Sequence, residues 1–218
     1  MKKFLSPYLT KQTILAGLIG LSTALALGYN FGMYTLSGAL GYALPNQTVT
    51  YSGEVHVHAD FSLYIANEQI HFTDKKYQSE EKHILDAAQH FHDGNDEVVH
   101  RHANNATLVN FLHSIGVTLT DTCLTLDTGL SHCNNDTEKL ILFVNGIPVP
   151  DITHYQTVEK DRILLYYGDP KNPHLGEYIT GVTDESCLYS RTCPERGDPP
   201  TESCGLTCDV ANIIEKQH

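Results

Sequence analysis

The stretch Val55-His56-Val57-His58-Ala59-Asp60-Phe61-Ser62-Leu63-Tyr64-Ile65 alternates strictly between apolar and polar side chains. Because successive strand residues point to opposite faces, this pattern predicts a strand with one buried face carrying Val57, Ala59, Phe61, Leu63 and Ile65. The other face then carries His56, His58, Asp60, Ser62 and Tyr64. A turn at Ala66-Asn67-Glu68 returns the chain through Ile70 and Phe72, which predicts a hairpin with His71 on its polar side.

His56 and His58 are the first of three His-x-His pairs; the others are His90/His92 and His100/His102. Eight of the 13 histidines fall between His56 and His102, whereas chance placement gives about one such pair in the whole chain. Residues i and i+2 of a strand leave the same face roughly 6.6 Å apart, so two imidazoles can converge on one ion. For the second and third pairs the hairpin loop decides. A three-residue loop within Asp93-Gly94-Asn95-Asp96 sets His90 opposite His100 and His92 opposite Val98, with all four imidazoles on one face. A two-residue loop splits them. In the convergent register Phe91, Val99 and Arg101 share the opposite face, and the arginine must reach the rim.

Neutral imidazoles without nearby thiolate or thioether suit copper or zinc, whereas Ca(II) and Mg(II) favour oxygen cages. The only methionines are Met1 and Met33, which disfavours a blue-copper site with an axial thioether. Asp60, His71 and Asp93 are supplementary ligands or groups that fix an imidazole tautomer. Two other readings stay open for the histidines: solvent-facing strand residues, and a pH switch of clustered imidazoles.

Thr107 predicts the cap of a short helix carrying Leu108, Phe111, Leu112 and Ile115 on one face, stopped by Gly116. Cys123 and Cys133 flank a loop with Gly129 at its left-handed position, so the two cysteines are predicted to pair across a hairpin. Leu140 to Val144 reads as a buried strand ending at the Asn145-Gly146 turn, and Arg162 to Tyr167 as another. Here Phe143-Val144-Asn145-Gly146, Tyr155 and Asp161-Arg162-Ile163-Leu164 resemble the closing strands of ubiquitin-like β-grasp domains of the soluble ligand-binding and transcobalamin-tail-like kind. The resemblance covers roughly residues 107 to 168 and implies an α+β fold. Lys160 stands where a glycine is usual and the aromatic residue before the Asn-Gly strand is missing, so no cobalamin site carries over. The His-x-His-Ala-Asp-Phe and His-Asp-Gly motifs also resemble those of single-span, His-rich exported proteins of environmental microbes, a family that implies no activity.

Upstream, Lys2, Lys3 and Lys11 precede Thr13 to Leu44, a stretch without a charged residue. About 20 apolar residues span a bilayer core, so the expectation is an uncleaved single-pass anchor with a cytoplasmic N-terminus and the body outside the cytoplasm or on the cell surface. Cleavage after Ala24-Leu25-Ala26 is the alternative. Ala24, Gly28 and Gly32 form a small-residue stripe that suits homo-oligomerisation. The net charge of −12 excludes a nucleic-acid partner that needs a basic face. All six cysteines, Cys123, Cys133, Cys187, Cys193, Cys204 and Cys208, follow the apolar stretch, as suits disulfides outside the cytoplasm.

The chain thus divides into a cytoplasmic start (1–12), a transmembrane helix (13–44), a linker (45–54), a His-rich β-grasp-like metal-binding domain (55–168) and an irregular Cys-rich tail pinned by disulfides (169–218). The expected function is binding of copper or zinc by His56, His58, His90, His92, His100 and His102. The alternatives are a metal-dependent enzyme with an open coordination position, and a structural subunit sharing metal between chains. No nucleophile elbow, phosphate-binding loop or dinucleotide-binding glycine motif is present.

Overall fold

The computed structural model describes residues 50–51, 55–80 and 83–202. The strands follow in order as β1 (Thr50–Tyr51), β2 (Val57–Ile65), β3 (Glu68–Ile70), β4 (Gln78–Ser79), β5 (Gln89–His92), β6 (Val98–Arg101) and β7 (Ala103–Asn104). Helix α1 (Leu108–Ser114) precedes β8 (Thr118–Leu119), β9 (Cys123–Thr125), β10 (Ser131–Cys133), β11 (Lys139–Val144), β12 (Ile147–Val149) and β13 (Arg162–Gly168). Two short helices, α2 (Leu175–Gly181) and α3 (Ser186–Tyr189), and a 3-10 turn at Pro194–Arg196 follow β13.

β2 sits inside an eight-stranded mixed sheet of order β12-β11-β13-β2-β6-β5-β4, with β3 also paired to β2. It runs parallel to β13 and antiparallel to β6. The alternation read from the sequence decides what each face meets. Ala59, Phe61 and Leu63 join Phe91, Val99, Leu142, Ile163 and Leu165 in a core that α1 closes with Leu108, Phe111 and Leu112. Leu119 and Leu124, from a separate three-stranded sheet, seal the same core. Asn110 Oδ1 accepts from both the backbone N and the Oγ1 of Thr107, fixing the start of α1, and Gly116 takes the positive φ of 80° that stops it. The Cys123–Cys133 disulfide joins directly opposed residues of β9 and β10. Asn145 and Gly146, both with positive φ, turn β11 into β12.

The second face of the sheet is covered as well, by the C-terminal segment. Phe143, Leu164 and Tyr166 pack against Val182, with Leu175, Tyr178 and Ile179 of α2 around them, and the Tyr64 and Tyr178 rings stack at 4.3 Å. Polar anchors reinforce this. Asp60 Oδ1 accepts from Thr183 Oγ1 (2.8 Å), Glu185 N (2.7 Å) and Ser186 N (3.2 Å), and Asp60 Oδ2 accepts from Ser186 Oγ. The Arg162 guanidinium donates to the carbonyls of Thr180, Val182 and Thr183 at the end of α2, where a cation also opposes the helix dipole.

Three expectations are corrected. The sheet is a larger mixed one than the β-grasp-like arrangement, because the 78–101 segment adds β4, β5 and β6 beyond β2. The described part of the 169–218 segment, residues 169–202, is not an irregular tail: α2 and α3 pack on the sheet, and Cys187 pairs with Cys193. Cys204 and Cys208 lie outside the described residues. The single-pass anchor and its extracytoplasmic placement are not upheld. Among the described residues no helix is long and apolar enough to cross a membrane. The 7-residue helices α1 and α2 reach about 10 Å at 1.5 Å per residue, against a hydrocarbon core of about 30 Å. Residues 13–44, the lysines before them and the Ala24/Gly28/Gly32 stripe lie outside the described residues.

Asp60 clasps the C-terminal segment to the sheet, and its removal leaves buried donors without an acceptor. Asp60→Ala is expected to lower the unfolding free energy by about 2–4 kcal/mol and to open residues 183–196 to trypsin. Urea denaturation and limited proteolysis, analysed after reduction, check both.

Candidate metal centre

Strand pairing brings the three histidine pairs together. His58 lies opposite His100 across β2 and β6, and His90 lies opposite His100 across β5 and β6. The His102 N–H donates to Ala88 O (2.8 Å), carrying the β5–β6 pairing one step further. The convergent register forms, through a longer connection than the three-residue loop. Asp93 and Gly94 take positive φ, Asn95 N bonds to His92 O, and Asn95 Oδ1 accepts from the N–H of Glu97 and of Val98. Arg101 does not reach the rim: it is buried, donating to the carbonyls of Thr157 and Ala103.

All six rings meet. Centroid separations are 4.5 Å for His56–His58, 4.6 Å for His56–His102, 4.7 Å for His58–His100, 3.9 Å for His92–His100 and 5.1 Å for His90–His102. The Tyr189 ring of α3 covers His58 and His100 at 5.5 and 5.0 Å. Into this cluster the C-terminal segment inserts Glu202. Its Oε2 lies 3.0 Å from His56 Nε2, 3.6 Å from His58 Nε2, 3.4 Å from His100 Nδ1 and 3.9 Å from His92 Nε2. One ligand atom from each of His56, His58, His100 and Glu202 lies within 4.8 Å of the others, a group that can hold a metal ion.

Groups behind the rings set their orientation. His90 Nδ1 bonds to Asp86 O (2.7 Å) and His92 Nδ1 to Asp93 Oδ2 (2.8 Å), so each ring donates from Nδ1 and turns the Nε2 lone pair inward. His58 Nδ1 lies 3.2 Å from Ser190 Oγ, which donates to Glu159, and Glu159 also accepts from His58 N. Asp93 therefore orients a histidine. Asp60 is engaged by the C-terminal segment, and His71 is exposed and pairs with Asp96 at 3.1 Å. Neither belongs to the cluster.

Burial sets the charge state. His90, His92, His100 and His102 are 0, 1, 1 and 2 % exposed. Burial lowers His90 to about 4 and His102 to about 2, and pulls His92 down and His100 well down from the usual imidazole value. All four are neutral at pH 7, the form that ligates. Burial pushes the Glu202 carboxyl up, but the imidazoles of His100, His56 and His58 outweigh it and hold the group well below the usual carboxylate range. His90 Nε2, His92 Nε2 and His102 Nε2 are buried without a hydrogen-bond partner among the described residues. Lone pairs so placed are what an ion satisfies.

Sequence reasoning missed Glu202, which sits 100 positions beyond His102 in a polar segment with no local signal. Comparison with protein-family models, curated proteins and solved structures gives no match to this chain, so the geometry of the six histidines and Glu202 alone carries its functional reading.

Proposed function

We propose that this protein is a transition-metal-binding module that holds Cu(II) or Zn(II) through His56, His58, His100 and Glu202. The observation that carries the reading is the convergence of three imidazoles and one carboxylate within 4.8 Å, from two neighbouring strand segments and the C-terminal chain. Three nitrogens and one oxygen suit tetrahedral Zn(II) or tetragonal Cu(II), and offer too little oxygen for Ca(II) or Mg(II). Burial keeps the His100 ring neutral and Ser190 holds the His58 ring from behind, so neither needs proton release or reorientation to bind. An ion here ties the Glu202 segment to β2 and β6, joining the two layers that Asp60 already clasps.

Elemental analysis of the purified full chain after loading with Zn(II) or Cu(II) and desalting is expected to return bound metal. His58→Ala with His100→Ala should weaken binding beyond the roughly 10–100-fold that loss of a ligand-orienting group causes. Metal at 1,000 times its Kd should add about 4 kcal/mol of stability, removed again by chelator. An unchanged melting temperature and desalted protein free of metal would refute the reading.

The buried neutral imidazoles also make the metal-free fold acid-sensitive. Their folded pKa values lie below the unfolded value of about 6.5, so below that pH the unfolded chain binds more protons and stability falls as pH falls. For His90 the loss runs from about 6.5 down to about 4, and for His102 further, to about 2. Urea midpoints of metal-free protein are expected to drop steadily between pH 7 and 5, a window in which ordinary carboxylates near pKa 4 contribute little.

A further inference from the structure

His90, His92 and His102 fall outside the four-residue group, yet each is at least nine-tenths buried and has an Nε2 without a hydrogen-bond partner among the described residues. Six imidazoles and a carboxylate are seven donors, more than the four to six that one transition ion accepts. The rings also sort into two sets. His100 lies 4.7 Å from His58 and 3.9 Å from His92, while His102 lies 4.6 Å from His56 and 5.1 Å from His90. Separations across the sets are longer for His56–His100 (6.3 Å), His90–His100 (6.4 Å) and His90–His92 (5.8 Å); only His56–His58 is as close, at 4.5 Å. Each His-x-His pair thus gives one ring to each set, as the two-residue strand repeat dictates when three such pairs lie on adjacent strands. Where the sets meet, His56 Nε2 and His58 Nε2 stand 3.1 Å apart, and Glu202 Oε2 reaches both.

We infer that the site is a two-ion centre, with one transition ion on His58, His92 and His100, a second on His56, His90 and His102, and the Glu202 carboxylate shared between them. This rests on the metal-binding reading, keeps His58, His100 and Glu202 on the first ion with His92 in the place of His56, and gives His56 to the second ion. Paired catalytic ions stand about 3.5–4 Å apart, and Glu202 Oε2, close to His58, His100 and His92 of one set and to His56 of the other, stands where a shared carboxylate would. His90 and His92 are held by Asp86 O and Asp93 on their outer nitrogens, so each set contains a ring fixed from behind, and His58 is fixed through Ser190 as well.

The test is titration of the full-length protein with Cu(II), followed by elemental analysis and electron paramagnetic resonance with spin quantitation. The expected result is two copper ions per chain and a coupled-pair spectrum with a half-field transition. His90→Ala with His102→Ala should reduce this to one copper per chain with an ordinary isolated-ion signal, and His92→Ala should perturb the ion that the double variant keeps. Wild-type protein that saturates at one copper, or binds two without coupling, overturns the two-ion centre while leaving the metal-binding reading intact. Protein that binds no copper or zinc overturns both. The wild-type stoichiometry and spectrum decide the matter even where a variant fails to fold.

Discussion

A strand covered on both faces must find partners for every polar atom it carries, and β2 is such a strand. Ala59, Phe61 and Leu63 enter the apolar core, while His58, Asp60 and Ser62 are buried beneath the C-terminal segment. Burial of polar groups without partners costs free energy, so the covering segment has to supply them. Thr183, Glu185 and Ser186 bring donors to Asp60, and Ser190 meets His58. Beside this face, on the β5–β6 side, the inward nitrogens of His90, His92 and His102 have no hydrogen-bond partner among the described residues. The fold and the candidate centre therefore share one origin, the placing of a histidine-bearing strand face inside the molecule.

Much of this was legible in the sequence wherever local patterns govern. The alternation along β2 separated core from site; Asn145-Gly146 and the Cys123/Cys133 hairpin followed from turn chemistry, and the α1 boundaries from capping. The His90–His100 pairing also formed, although the loop that sets it is longer than the sequence suggested: Asn95 folds its side chain onto Glu97 and Val98, a side-chain turn that spacing alone does not reveal. Long-range features were not legible. Nothing near Glu202 marks it as facing histidines 100 to 146 positions away, and nothing near Asp60 marks it as the anchor of a distant segment rather than a ligand. Arg101 was assigned to the rim because an unpaired guanidinium cannot be buried; backbone carbonyls from Thr157 and Ala103 make burial tolerable.

The charge arrangement is economical. A chain of net charge −12 draws cations to its surface at low ionic strength, yet the cluster itself contains a single carboxylate among six imidazoles. Glu202 is buried at some cost and is stabilised by imidazole nitrogens that surround it. The group of His56, His58, His100 and Glu202 can hold a metal ion, whose positive charge would sit beside a carboxylate that the imidazoles already hold well below the usual range.

Magnitudes indicate how tightly binding and folding are joined. An unsatisfied buried polar group costs about 1–3 kcal/mol, and three imidazole nitrogens in the cluster, those of His90, His92 and His102, lack partners among the described residues. Their combined cost is of the order of the 5–15 kcal/mol that stabilises a typical domain. A fold that carries such a face without an ion spends much of its stability on it, whereas one that fills the face turns the same atoms into the strongest contacts between its sheet and its C-terminal segment. Selection for stability alone would replace these histidines with apolar residues, as the opposite face of β2 shows is structurally acceptable. Their placement in three register-matched pairs, each with an orienting group or a strand partner behind it, suits coordination better than packing.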